Sequence, residues 1–193
     1  MIVLDEHIET QASPIYDHGK LDPSVHAKLV LDMDRYAAEA GIQVRDITGA
    51  AYHLTPIEIE YLTEFRRTQE DGKLGIVYIG AQDPSVSQRS RSIAGALIRN
   101  FITANVIPRE ALLEHLFKGR IGPQGTLVAV PDFHYHDAPA ATRRALSSWL
   151  MGRASRGKQT VIGVPDNKAK AEIFGSENAL YLNNFKIVQG YTA

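Results

Sequence analysis

The residues with the clearest chemical potential lie in a turn between an apolar run and a helical pattern, at positions 75–101. The turn begins at Gly80 and continues to the hydroxyls of Ser85 and Ser87, an order that resembles a phosphate-binding loop. Such a loop uses glycines to turn backbone amides inward, a lysine to reach the terminal phosphates and a hydroxyl to hold magnesium. Val86 occupies the lysine position, so we expect no nucleotide hydrolysis. The following helix is predicted to begin at Ser92, where its dipole attracts anions.

A second group of reactive side chains lies in "PDFHYHD", at 131–137. If the chain is extended there, Asp132, His134 and His136 alternate onto one side. Imidazole together with carboxylate suits zinc, iron or nickel, so a small metal-dependent hydrolase is the enzyme alternative, with a divalent metal as its cofactor. The other interpretation is that these histidines are partly exposed loop residues bonded to their neighbours. We favour that interpretation, and we expect neither a cofactor nor a catalytic residue.

Basic side chains are concentrated in the middle of the chain. From Gln88 to Lys158 there are 11 basic and 4 acidic residues, although the whole chain has a net charge of −1. Such an excess attracts anionic partners, and guanidinium groups suit phosphate contacts. We therefore predict nucleic-acid contacts from Arg89, Arg91, Arg99, Arg143, Arg144, Arg153, Arg156 and Lys158.

Three alternatives apply to these arginines. Arg143 and Arg144 are also explained as the solvated face of a helix, and Arg153 as a cation beside a helix C-terminus. In the third alternative, one arginine acts across a subunit interface of a homo-oligomer.

Composition excludes several classes of protein. The chain has no cysteine, which excludes disulfides, thiolate metal sites and a cysteine nucleophile. It has no apolar run of 18 residues, so we expect no membrane partner. The N-terminal residues do not resemble a secretory signal, because they include the acids Asp5 and Glu6 and lack a long apolar segment. We expect a cytoplasmic protein.

The elements that must position these residues are predicted from caps and periodicity. Asp22-Pro23 is a helix start, and Gly41 is the corresponding stop. Thr55 and Glu58 form a capping box for a second helix. Residues 1–72 are therefore interpreted as an N-terminal arm followed by helices, and residues 73–193 as an α/β core domain.

The core domain alternates apolar strands with helices. Continuous apolar runs at 74–80, 126–133 and 159–166 are typical of strands buried on both faces. Helical patterns separate them at 92–104 and 138–155, and another helix begins at Pro108. This alternation predicts an α/β fold of three layers, with a mostly parallel sheet between helices on both faces. The carboxyl ends of parallel strands share one edge, so Gly80, Asp132 and Asp166 are expected to converge there.

This order of parts resembles the core of the AAA+ ATPases that load replicative helicases or assist transposases. The likeness covers roughly residues 55–188 and depends on the order "LGIVYIG", "SIAGALIRNFI", "TLVAVPDF" and "RGKQTVIGVPD". It implies a P-loop-NTPase-like fold, an acidic magnesium residue at Asp132, and a polar sensor at Asp166 or Asn167. With the lysine absent, it implies a degenerate nucleotide site made of Gly80, Ser85, Ser87 and Asp132.

These observations favour a non-hydrolysing, ATPase-like accessory factor of replication, transposition or mobile-element biology. It would bind nucleic acid or a DNA-bound protein through the edge that displays Arg89, Arg91 and Arg99. The alternatives are the metal-dependent hydrolase and a structural subunit of an assembly.

Overall fold

The architecture is an α/β fold in which a parallel sheet lies between two helical layers. The computed structural model describes residues 23–49, 54–80, 84–120, 122–135, 138–175 and 179–189. Five strands form one sheet, and every neighbouring pair is parallel. In chain order they are β1 (Gly75–Ile79), β2 (Ala104–Val106), β3 (Leu127–Val130), β4 (Gln159–Val164) and β5 (Phe185–Gln189).

The strand order across the sheet is β2-β3-β4-β1-β5, which puts β1 between β4 and β5. Three of the apolar runs predicted as strands form β1, β3 and β4. All five residues of β1 and all four of β3 are buried, as expected for strands covered on both faces. The strand β2 was not predicted, because its three residues lie at the end of the helical pattern at 92–104 and in the short connection to the helix predicted from Pro108.

One face of the sheet, called the front face, is covered by the helices that precede β1 together with the long helix that follows it. Their inward side chains form a single buried cluster with Ile76 and Tyr78 of β1, Ala129 of β3 and Val161 of β4. These helices are α1 (Pro23–Leu31), α2 (Met33–Ala40), α3 (Val44–Thr48), α4 (Pro56–Thr63), α5 (Phe65–Glu70) and α6 (Pro84–Arg99).

The remaining helices cover the other side, called the back face. Val77 of β1, Val128 of β3 and Ile162 of β4 point into this second cluster, so successive strand residues serve opposite cores. The helices are α7 (Arg109–Phe117), α8 (Ala140–Ala154), α9 (Asn167–Ile173) and α10 (Ala179–Leu182).

Residues from both sides of the predicted boundary at 72/73 contribute to the front core. Ile47, Tyr61 and Phe65, from the helices before β1, are at most 3% exposed and pack in the same cluster as Ile93 and Leu97 of α6. Residues Val44–Thr48 form the helix α3. This short helix lies so close to α6 that a Cβ on Gly95 would be 1.9 Å from the Asp46 carbonyl oxygen.

Buried polar groups connect the front helices to the sheet. Glu58 of α4 is fully buried, and its carboxylate accepts hydrogen bonds from the Tyr78 hydroxyl and the Thr55 amide. The second of these bonds confirms the Glu58 half of the predicted capping box. Tyr61, also on α4, donates from its hydroxyl to Oε1 of Gln159 over 2.9 Å. Since unpaired polar groups are costly to bury, these bonds fix the orientation of α4 on the sheet.

Candidate functional site

The expected convergence of polar strand ends is confirmed. The strands β3, β4 and β1 are neighbours and parallel, so Asp132, Asp166 and Gly80, which follow them, lie along one edge. We call this the carboxyl edge. The chain leaves β1 towards the front face and leaves β4 towards the back face, which opens a crevice between the two strand ends. Crevices of this kind are where ligands of open α/β sheets bind.

At the crevice, the predicted phosphate loop has a different structure from the one expected. The helix α6 begins at Pro84, so Ser85, Val86 and Ser87 lie in its first turn, and the predicted start at Ser92 is wrong. The early start has a sequence signal, because Asp83-Pro84 repeats the Asp22-Pro23 pattern. Residues 81–83 lie outside the described part of the chain.

The position that a phosphate-binding lysine would occupy points into the protein. Val86 is 3% exposed and packs in the front core with Ile93 and Leu97. A side chain there extends towards the sheet, whereas phosphates would lie beyond the helix end. Ser85 and Ser87 are half-buried. In the first turn of α6, Val86 therefore packs in the core, whereas the corresponding residue of a phosphate-binding loop is a lysine that contacts the phosphates.

The two carboxylates of this edge are bonded to helix N-termini. Oδ1 of Asp166 accepts from the Ala169 amide over 2.7 Å and caps α9. Oδ1 of Asp132 accepts from the Arg109 amide over 3.0 Å, at the first residue of α7. Burial raises the pKa of the Asp132 carboxyl above its usual value of 3.8, although the bond from Arg109 opposes the shift. Both acids thus have a structural role in satisfying unpaired helix amides.

The role of Asp132 as a cap predicts a difference between two substitutions. Asp132→Ala is expected to lower the free energy of unfolding by about 1 kcal/mol, and Asp132→Asn by much less, because the amide oxygen still accepts from Arg109. A raised pKa means that the folded state binds protons more readily than the unfolded state, so the wild type should lose stability relative to Asp132→Asn as the pH rises from about 4 through the raised pKa. Urea unfolding across that pH range measures both effects. Equal losses for the two variants at pH 7 would contradict the capping role.

The histidine group is only partly described. Phe133 and Tyr135 are buried in the back core while Asp132 and His134 are half-buried, so the predicted alternation holds for these four residues. His136 lies outside the described residues. Within the part of the chain that the structure describes, no three histidines or acids form a group able to hold a metal ion. The metal site stays a prediction.

The arginines of α6 do not form the expected exposed edge. Arg99 is 7% exposed, and its Nη1 donates to the Gly49 carbonyl over 2.8 Å. Arg91 lies 3.7 Å from the Asp46 carboxylate, and both Arg89 and Arg91 are half-buried. The expectation that these three arginines are displayed together is wrong, because α6 crosses the front face with most of its length in contact with other elements.

The basic residues of α8 are divided between its two ends. Arg143 and Arg144 are exposed in its first turns, near the carboxyl edge. Arg156 and Lys158 follow its last turn, about 20 Å away at 1.5 Å per residue. Arg153 is 1% exposed and donates hydrogen bonds to Thr160 Oγ1 and to three backbone carbonyls, those of Pro123, Gly125 and Gln159. Arg153 is therefore inaccessible to a phosphate. Arg143 and Arg144 form one basic site, and Arg156 and Lys158 form another at the opposite end of α8.

The opposite border of the sheet, called the amino edge, has a basic surface that sequence reasoning did not identify. The register pairs Gly75 with Thr160, so two residues earlier Lys73 and Lys158 lie level at the starts of β1 and β4. Gln159 Nε2 donates to the Lys73 carbonyl, which holds these two strand starts together. Lys73 and Arg156 are exposed, and Lys158 is half-buried.

Arg120 extends this surface towards β3. It is exposed at the end of the turn after α7, and the loop that follows it is held by the bonds from Arg153 to Pro123 and Gly125. Arg156 is close enough to Arg153 that its charge adds to the effect of burial, and together they lower the pKa of Arg153 to about 10. We call Lys73, Arg120, Arg156 and Lys158 the amino-edge cluster.

The charges of the amino-edge cluster are only partly neutralised by neighbouring acids: Lys118 lowers the pKa of the Glu114 carboxyl most, and Arg120 adds to that effect. Among the described residues, none of its four members forms an ion pair, whereas nearby Lys118 pairs with Glu114 and Arg67 with Asp71. The C-termini of α5, α7 and α8 end beside them, and a helix C-terminus attracts cations by about 0.3–1 kcal/mol each. That attraction accounts for cations at this edge but leaves their charged groups available to an anion.

The protein therefore has an α/β fold with an all-parallel sheet, a crevice that lacks the lysine of a phosphate-binding loop, and a basic amino edge. Comparison with models of known families, with curated proteins and with solved structures finds no match. None of the helices in the described ranges has both the length and the apolar character required to cross a membrane.

Proposed function

We propose that this protein is a non-hydrolysing, ATPase-like accessory factor that binds nucleic acid, in replication, transposition or mobile-element biology. The observation that carries the proposal is the amino-edge cluster, in which four cations lie at one edge of the sheet and none forms an ion pair among the described residues. Contacts to phosphates require such cations. A cation that forms no ion pair can contact a phosphate without first breaking an existing interaction.

The ATPase-like part of the proposal depends on the resemblance and on the crevice. An all-parallel sheet with a crevice between β1 and β4 is compatible with descent from a nucleotide-binding domain. The buried Val86 supports the loss of hydrolysis. The chain has no lysine at that position, and a side chain there points into the core and could not contact a phosphate. In this proposal the sheet remains as a scaffold, and nucleic acid binds at the border opposite the former nucleotide site.

The spacing of the cluster suits a phosphate backbone. Neighbouring strands lie about 4.8 Å apart, so the side chains of Lys73 and Lys158 leave the backbone at about that separation. Successive phosphates of one strand of B-DNA are about 3.4 Å apart along the axis, and flexible lysine side chains can span the difference. Such contacts give affinity without sequence preference, so we expect non-specific binding that weakens with salt.

A salt titration of two matched double variants tests this proposal. Arg156→Gln with Lys158→Gln is expected to reduce the slope of log K against log salt by about 1.4–1.8, because each lost phosphate contact removes about 0.7–0.9. Arg143→Gln with Arg144→Gln removes the same charge from the other end of α8 and should change the slope little. Fluorescence anisotropy with a labelled oligonucleotide provides the measurement. Absence of binding at about 50 mM salt, or equal losses for both double variants, would overturn the proposal.

A further inference from the structure

An aromatic residue at the amino edge has an unfavourable backbone conformation. Phe101 follows α6 with φ 57°, and its amide bonds to the Ile98 carbonyl while the Ile102 amide bonds to that of Leu97. The same pair of bonds ends α2, where Gly41 has φ 68°. Glycine is the usual residue at this position, because a side chain is strained in the left-handed region.

The strain at Phe101 is not offset by burial. Its side chain is 41% exposed, and it is absent from the buried clusters of both faces. Strained residues of this kind cluster at functional sites, where the strain is retained for a role other than packing. An exposed aromatic ring is a stacking surface for any nucleobase, since every base has a π-face.

A cleft of about 330 Å³ is lined in part by Ile98 and Thr103, which lie three residues before and two residues after Phe101; Phe101 itself does not line the cleft. Its lining is mixed: Tyr36 and Ile98 provide apolar walls, Asn105 and Gln124 provide amides, and the acidic residue Glu39 also contributes. Asn105 is held in place, because its Nδ2 donates to the Glu39 carbonyl and its Oδ1 accepts from the Gly125 amide. Aromatic and apolar walls with a few fixed polar groups are typical of sites for planar heterocycles.

We propose that this cleft receives an unpaired base of a single-stranded nucleic acid and that Phe101 stacks against it or its neighbour. The inference depends on the proposed function, since the amino-edge cluster holds the phosphates. From the start of β2, beside Phe101, to the start of β1, beside Lys73, there are three strand spacings, or about 14 Å. One stretch of single strand can therefore contact the ring, the cleft and the cluster together. A duplex keeps its bases stacked internally and gains nothing from the cleft.

Substitution of Phe101 separates the stacking role from a structural one. Phe101→Gly relieves the strained backbone, so a rise in melting temperature is expected, together with a loss of single-strand affinity of about 5- to 150-fold. Phe101→Leu keeps an apolar side chain and should show the same loss of affinity. Binding to a duplex of the same sequence should be unchanged. The probe is a labelled 12-nucleotide single strand, measured by anisotropy.

Phe117→Ala is the control, because Phe117 is 60% exposed on the back-face helix α7, away from the cleft. It should leave single-strand affinity unchanged, and a loss equal to that of Phe101→Gly would overturn the inference. Unchanged single-strand affinity in Phe101→Gly, with the loss in Arg156→Gln and Lys158→Gln retained, overturns the stacking role and leaves the proposed function standing. If the wild type binds neither single strand nor duplex, both proposals fail.

Discussion

Replacing Arg153 by alanine is expected to lower the free energy of unfolding by about 3–5 kcal/mol, the largest effect that we predict for a single side chain. The guanidinium group is 1% exposed and bonds to Thr160 Oγ1 and to the carbonyls of Pro123, Gly125 and Gln159. Removing it leaves these acceptors buried without a donor, and it also removes the cation that lies 5.6 Å from the centre of the Trp149 ring.

Arg156 is the matched control for this prediction, because it is exposed three residues further along. Arg156→Ala should change stability by less than about 0.5 kcal/mol. Arg153→Lys should lower the free energy of unfolding almost as much as Arg153→Ala does, since an ammonium group cannot reproduce the planar fork that reaches separate carbonyls. Urea unfolding of the three variants is the measurement. A loss below about 1 kcal/mol for Arg153→Ala would show that these bonds do not hold the loop at 122–126.

Replacing Val86 by lysine, the residue that a phosphate loop would have there, is expected to lower the free energy of unfolding by about 3 kcal/mol or more. Val86 is 3% exposed in the front core, so an ammonium group at this position either loses its hydration or forces α6 away from the sheet. Restoring the sequence motif therefore damages the fold and does not restore a nucleotide site.

Gln88→Lys is the control for Val86→Lys, because Gln88 is exposed on the same helix and should tolerate the charge. Urea unfolding compares the two variants, and thermal shift with ATP and magnesium follows nucleotide binding. We expect no ATP-dependent stabilisation of the wild type or of either variant. At 100 times its dissociation constant a ligand stabilises by about 2.7 kcal/mol, so a marked shift in Val86→Lys would contradict our account of the turn.

The parts of the fold that could be predicted are those in which local sequence and tertiary environment agree. Burial on both faces requires continuous apolar runs, and so β1, β3 and β4 were recognisable. Proline and glycine restrict the backbone locally, which made the start of α1 and the end of α2 predictable. The strand β2 was missed because it has only three residues, too few for a periodic pattern to be distinguished from the preceding helix.

The candidate sites were predictable only as far as topology determines them. Parallel strands bring their carboxyl ends to one edge, so the convergence of Gly80, Asp132 and Asp166 followed from the apolar runs alone. The accessibility of the cations did not follow. Arg153 and Arg156 have the same side chain within one turn of each other, yet one is bonded inside the protein and the other is exposed.

By itself the sequence determined the α/β class, the parallel strands, the missing lysine and the excess of positive charge in the middle of the chain. Those properties depend on residue type and on neighbours a few positions away. Tertiary structure alone decided that Val86 faces the core, that Arg99 and Arg153 bond to backbone carbonyls, and that Lys73 lies beside Lys158. The physical reason is that burial and charge pairing depend on distances between residues far apart in the chain, and strand register fixes those distances only when the sheet has formed.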